Sequence, residues 1–166
     1  VAARDNLVAP VMEQPQYNLF ERERVEKDYS RLYEEVGLGT TVWSPNCRGE
    51  LVGHYLEEQG DTFVVSSAGK TWIEKAGLPP GHEARIEKVA AFATLARELN
   101  LSPARLSLAW VLKNPRVTTA ILGASNPQHL KDNLKAIDDS AALTEEVVER
   151  IEAIFETRPI EEDRFR

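Results

Sequence analysis

The stretch from Leu7 to Trp43, LVAPVMEQPQYNLFERERVEKDYSRLYEEVGLGTTVW, decides the fold. Leu7 to Gln14 is an apolar run with Pro10 inside it, and it stops at the Gln14-Pro15 step because a proline disfavours helix at the residue before it. It reads as a buried strand. From Arg22 to Val36 the apolar residues Val25, Tyr29, Leu32, Tyr33 and Val36 recur at helical spacing with charges between them. Gly37 then stands ready for the left-handed position that ends a helix. Gly39 to Trp43 is β-branched at Thr40, Thr41 and Val42 and stops at Ser44-Pro45, so a second strand without polar alternation follows the helix. Strand, helix, strand in this order is a βαβ unit, and a parallel sheet follows from it.

Outward from this unit the pattern first weakens. Residues 44–82 carry Gly49, Gly53, Gly60, Gly69, Gly77 and Gly81 with Pro79 and Pro80, and read as one long irregular connection, functional or disordered. Glu83 to Leu99 restores a helix with Ile86, Val89, Ala90, Ala93 and Ala96 on one face. Ser102 and Pro103 supply a cap and a first-turn proline for a helix to Lys113 that is apolar on most sides. Val117 to Leu122 reads as a third strand. Asn126-Pro127 opens a helix to Ile137, and Thr144 caps a last helix with Val147, Val148, Ile151, Ile154 and Phe155 inward. Three parallel strands flanked by helices make either a small sheet with two open edges or an arc of a larger barrel.

Composition narrows the function. The chain has 166 residues, with 20 Lys and Arg against 27 Asp and Glu for a net charge of −7. No basic run supplies the phosphate-neutralising surface that nucleic-acid binding needs. No apolar stretch is long enough for a membrane span, and no signal-peptide pattern opens the chain, so the expected compartment is the cytoplasm. The single cysteine, Cys47, has no disulfide partner, and the three histidines are not spaced as metal ligands. The chain begins at Val1 and its one methionine is Met12, which fits a piece of something longer.

Ligands of parallel α/β structures bind beyond the carboxyl ends of the strands. Three places therefore matter. At the third strand, Gly123 lets a ligand approach the backbone, Ser125 and Asn126 offer polar groups, and the following helix start favours an anion; a plain turn with a capping Asn accounts for the same residues. At the second, Arg48 is either a phosphate clamp or a solvated loop arginine, and Cys47 either a reactive or a passive thiol. At the first, Glu13 and Gln14 offer a carboxylate and a carboxamide.

Four segments, Glu13-Gln14-Pro15-Gln16-Tyr17-Asn18, Trp43-Ser44-Pro45, Gly53-His54-Tyr55 and Leu122-Gly123-Ala124-Ser125-Asn126 with Asp132-Asn133, resemble the carboxyl-terminal half of an aldo-keto reductase. The branch most resembled is that of voltage-gated potassium channel β subunits and their fungal and plant relatives. The resemblance implies an α/β fold, the carboxyl-terminal half of a (β/α)8 TIM barrel. Residues 1–158 would be a partial NADP-dependent oxidoreductase domain, and 159–166 a charged tail.

It further implies an NADP(H) site. Gln14 would meet the nicotinamide carboxamide and Trp43 the ring, with Ser44 and Pro45 lining the channel. Gly123 and Ser125 would hold the adenosine 2′-phosphate region, with His129 where the family commonly has Gln. Asp132, commonly Glu, and Asn133 would bind adenine. Asn46, Cys47 and Arg48 replace small and apolar residues, His54 replaces a phosphate-contacting lysine and Val64 an arginine, so the implied binding is weak. The family's catalytic Asp, Tyr, Lys and His belong to the amino-terminal half, and no catalytic residue is expected here. The implied partners are NADP(H), the other barrel half or a second copy of the chain, and an ion-channel subunit. A non-catalytic channel-associated regulatory protein is the alternative function.

Overall fold

A computed structural model describes residues 1–76 and 82–160. A short helix α1 (Ala2–Asp5) precedes strand β1 (Met12–Glu13), a π-helical segment (Arg24–Asp28) leads into α2 (Ser30–Val36), and β2 (Gly39–Val42) follows. The two strands pair in parallel, Met12 with Gly39 and Glu13 with Thr40. The βαβ unit is therefore present. Gly37 ends α2 at φ 65°, in the left-handed region where a side chain is strained and glycine is not.

Beyond β2 lie a 3-10 segment (Cys47–Val52), an antiparallel hairpin of β3 (Leu56–Gln59) and β4 (Thr62–Val65), and α3 (Ser67–Ala76). Then come α4 (His82–Glu98), α5 (Pro103–Lys113), β5 (Thr119–Ala120), α6 (Pro127–Leu134), α7 (Ala136–Asp139) and α8 (Glu145–Phe155). β5 joins β2 in parallel, Thr41 with Thr119 and Val42 with Ala120, and the sheet order is β1-β2-β5. The fold is α/β with parallel strands and helices.

Several expectations need correction. The strand over Leu7–Gln14 is neither that long nor buried: only Met12 and Glu13 pair with β2, and Leu7, Val8 and Val11 are 62%, 96% and 73% exposed. Among the described residues β1 is an edge strand with no neighbour on its outer side, and Pro10 has no N–H for a ladder. The helix over Arg22–Val36 is not one α-helix. Tyr29 N–H donates to the Arg24 carbonyl five residues back, at 3.0 Å, and the α-helical ladder resumes only at Ser30. Residues 44–82 are not irregular throughout, since the hairpin and α3 occupy much of them. Glu57 and Glu58 hid the strand because charged residues obscure period-two patterning. The helix from Asn126 breaks at Lys135 into α6 and α7. Val42, in the central strand, is fully buried, so uncovered apolar surface lies at Val8, Val11 and Ile121 of the sheet's margins.

α5 is the centre of the core. Six consecutive residues, Leu106 to Val111, are buried. Trp110 stacks on Tyr17 at 5.2 Å between ring centres, while Phe155 of α8 meets Phe20 and Phe92 edge-on at 5.1 and 5.3 Å. Into this core runs a buried ion network centred on Arg22. Arg22, its side chain 3% exposed, donates to Glu26 through Nε and Nη2, both at 2.9 Å, and to Glu152 through Nη1 at 2.7 Å and Nη2 at 2.9 Å. Tyr17 Oη donates to Glu26 at 2.6 Å, and burial together with that carboxylate pushes its phenol pKa far up. Thr157 Oγ1 donates to the Leu19 carbonyl at 2.6 Å, which ties the chain after α8 to the same turn. Of the expected tail, Ile160 is 84% exposed and residues 161–166 lie outside the described residues.

Candidate functional site

Parallel pairing fixes where the site can be. Because β1, β2 and β5 run the same way, their carboxyl ends emerge side by side, and the ladder continues past them through a Gln16–Trp43 bridge. Trp43 N–H donates to the Pro15 carbonyl at 3.0 Å and Tyr17 N–H to the Trp43 carbonyl at 3.3 Å. Gln14 and Trp43 are thereby brought together, and both line a pocket of about 350 Å³ with Gln16, Glu21 and Arg24.

The turn after β2 is held at its first carbonyls. Ser44 sits at φ 56° and its carbonyl accepts from Asn18 Nδ2 at 3.0 Å; the buried Ser107 of α5 donates to the Pro45 carbonyl at 3.1 Å. Asn18 also receives the amides of Phe20 and Glu21 on Oδ1, so one fully buried side chain organises two turns. Neither Asn18 nor Ser107 was among the expected site residues. A polar residue in an apolar helix, as at Ser107, was the available signal.

The turn after β5 is the second half of the site. Residues 123–130 are all exposed, and a Cβ on Gly123 would meet nothing within 4 Å, so its backbone is open to a ligand. Asn126 caps α6 by accepting the His129 amide on Oδ1 at 2.9 Å, as expected. Ser125 Oγ and His129 Nδ1 are 3.0 Å apart and form one exposed polar pair. Asn133 is buried and donates to the Gly123 carbonyl at 3.3 Å; Asp132 Oδ2 accepts from Ser102 at 3.3 Å and its Oδ1 pairs with Lys135 at 3.2 Å. The Asn133 side chain therefore braces the turn and Asp132 ties α6 to the cap of α5 and to Lys135, while Gly123, Ser125 and His129 are exposed.

The residues between the halves are used for packing. His54 meets Trp72 edge-on at 4.5 Å and Tyr55 at 5.9 Å, and burial lowers its pKa. Val64 lies in β4, paired with Glu57. Cys47 is 8% exposed, and burial followed by the nearby Glu50 pushes its thiol up to about 12, so it is a protonated, passive thiol. Gly69 has no room for a side chain, since a Cβ would lie 2.0 Å from the Tyr55 carbonyl oxygen. Among the described residues no group of three or more His, Cys, Asp or Glu is placed to hold a metal, and no helix is long and apolar enough to cross a membrane.

Comparison with known proteins shows the family. The model of the aldo/keto reductase family matches residues 1–156. The chain is similar to a putative voltage-gated potassium channel subunit beta of Schizosaccharomyces pombe, 37% identical over 161 residues that make up 97% of this chain and 46% of that protein. It is also similar to probable voltage-gated potassium channel subunits beta of Oryza sativa subsp. japonica, 36% identical over 168 residues (100% and 50%), and of Arabidopsis thaliana, 31% over 172 residues (99% and 50%). The chain spans about half the length of these curated relatives. With a family match over nearly its whole length and a parallel sheet that presents its strand ends together, this chain belongs to the aldo/keto reductase family.

Proposed function

We propose that the chain is the carboxyl-terminal part of an NADP(H)-dependent aldo-keto reductase barrel and carries most of the adenosine side of the cofactor site. The observation that carries this reading is the open turn at Gly123, with Ser125 and His129 outward at the capped start of α6, beside the strand end that bears Trp43. An exposed helix start with a bare glycine before it suits a phosphate, because backbone N–H groups and the helix dipole both favour negative charge. Ser125 and His129 would donate to that phosphate, Gln14 would pair with a carboxamide, and Trp43 would offer an apolar wall at the far end of the site. The bound nucleotide supplies a hydride for carbonyl reduction.

Proton donation to the carbonyl oxygen falls to the family's Asp, Tyr and Lys, which the resemblance places in the amino-terminal half. Tyr17 does not substitute: its hydroxyl is spent on Glu26 and Asn114 inside the core. The partner this reading implies is therefore that half of the barrel, seated against the free edges of β1 and β5. Its site of action is the cytoplasm.

The names of the relatives favour a second reading, a channel-associated regulatory protein in which bound nucleotide serves recognition rather than turnover. Calorimetric titration of the chain with NADPH, NADH and 2′,5′-ADP tests the first reading, and assays with a reactive aromatic aldehyde separate the two. Weak binding that prefers the 2′-phosphorylated nucleotides, with no aldehyde reduction until the amino-terminal half is supplied, is the expected result. Absence of binding by all three would remove the cofactor reading. Nucleotide binding with no turnover in the reunited barrel would favour the regulatory one.

A further inference from the structure

The turn that follows Trp43 is under conformational strain. Ser44, Cys47 and Arg48 are all non-glycine residues in the left-handed region, at φ 56°, 48° and 55°, and Gly49 follows at 94°. Such residues persist only where their surroundings leave the backbone no alternative. Here the surroundings are a buried polar cluster. Glu50 is 2% exposed, and its Oε1 lies 3.0 Å from Nε of Arg85 on α4, an ion pair out of line for a hydrogen bond. The Cys47 thiol sits between them, 3.5 Å from Glu50 Oε2 and 3.2 Å from Arg85 Nη2. The Arg85 guanidinium lies 3.8 Å over the Phe20 ring, so the cluster also reaches the turn after β1. Among the described residues, the buried side-chain polar atoms without a hydrogen-bond partner belong to Asn46, Glu50, Tyr55 and Arg85, all in this turn or close to it.

Cys47 and Arg48 are neighbours in the same conformation, yet one is buried and the other exposed. The Arg48 amide donates to Ser44 Oγ at 3.3 Å, and its guanidinium forms no ion pair among the described residues. A cation with a fixed backbone and a free head, beside Ser44 and the end of β2, suits the bidentate geometry of a phosphate. We propose that the Glu50–Arg85 pair, with the Cys47 thiol between them, is a positioning clamp that sets the 44–49 turn and through it presents Arg48 to the nicotinamide-side phosphate of a bound dinucleotide, the phosphate that 2′,5′-ADP lacks. The clamp stands on the geometry alone; the ligand rests on the cofactor reading above.

The experiment compares the full chain with Glu50→Gln, Arg85→Met, Arg48→Met and the paired Glu50→Leu/Arg85→Leu. Glu50→Gln and Arg85→Met should raise the rate of Cys47 alkylation by iodoacetamide about tenfold, since breaking one side of a buried pair opens the turn. They should weaken NADPH binding as much as Arg48→Met does, about tenfold for one charge-assisted contact, and leave 2′,5′-ADP binding unchanged. The paired apolar variant should regain the parent's melting temperature without regaining NADPH affinity, because apolar packing restores burial but not direction. Recovery of both together would overturn the clamp as a positioning device. So would parent-like alkylation in both single clamp variants. An Arg48→Met variant that binds NADPH like the parent would overturn the role of Arg48. If the parent binds neither nucleotide, the cofactor reading and the Arg48 ligand fail, while the alkylation rates still decide the clamp.

Discussion

Replacing Glu152 by Gln should cost about 2 kcal/mol and replacing Arg22 by Met about 3 to 4 kcal/mol, as expected where a buried ion network loses one member. The difference follows from what each change leaves behind. Arg22 is 3% exposed and makes two bonds to Glu26 and two to Glu152, so Glu152→Gln keeps one acceptor and strips the guanidinium of half its counter-charge. Arg22→Met removes the cation from two carboxylates that are 20% and 18% exposed and also lies against the Tyr17 hydroxyl's partner, Glu26. It further loses the contact of the guanidinium with the Trp110 ring, 5.0 Å away. For a domain of this size each kcal/mol is worth about 2 to 4 °C, so the melting temperature should fall by roughly 4 to 8 °C for the first variant and 6 to 16 °C for the second. Urea unfolding followed by tryptophan fluorescence measures the free energies, and the double variant gives the coupling. A coupling of at least about 1.5 kcal/mol is expected for charges this close. A coupling below about 0.5 kcal/mol would refute the claim that Arg22 and Glu152 act as one buried unit.

Other predictions concern charge and surface. Stability should fall in alkali: the Cys47 thiol and the Tyr33 phenol are raised to about 12 from 9.0 and 10.0. The unfolded chain therefore loses these protons first; the native advantage of the buried Cys47 is full below about pH 9 and drains at up to about 1.4 kcal/mol per pH unit as pH rises toward 12, while the half-exposed Tyr33 adds less because water screens it. Cys47→Ala should flatten the first part of that slope in denaturation curves taken between pH 8 and 11. His54→Lys should strengthen NADPH binding in calorimetry while lowering the melting temperature by a few degrees, because the edge-on contact with Trp72 is worth about 0.5 to 1.5 kcal/mol; unchanged affinity would place position 54 off the phosphate path. The chain alone should self-associate at micromolar concentration, since a few hundred Å² of uncovered apolar surface costs several kcal/mol at about 25 cal/mol per Å². Val8→Lys with Val11→Lys should shift sedimentation toward monomer and reduce binding of a hydrophobic dye.

Legibility in the sequence followed periodicity. α4, α5 and α8 were readable because Ser102 and Thr144 cap where caps belong and apolar residues recur at the helical period; the structure puts the ends of α4 and α5 within a residue of the expected ones and starts α8 after Thr144. The strands were readable as elements but not in extent. Leu7, Val8 and Val11 look like core, and nothing local in the sequence says whether a neighbour will cover them. The hairpin was hidden because Glu57 and Glu58 face water on an exposed strand and leave no alternation to see. At the site, the Asn126 cap and the bare Gly123 were legible, as capping and turn chemistry are local. Glu50 with Arg85 was not, because 35 residues separate the partners and only the packing of α4 on the turn brings them together.

The tie between the first turn and the last helix also has a meaning in time. Arg22 waits for Glu152, which lies 130 residues further along the chain, and the Leu19 carbonyl waits for Thr157, 138 residues on. At about 5 to 20 residues per second of synthesis, that is a delay of roughly 7 to 28 s. Throughout it the turn after β1 lacks the Glu152 carboxylate that pairs with the Arg22 guanidinium in the finished molecule. The contacts that close the turn seating Asn18 and Phe20 therefore form only after the chain through Thr157 has been made.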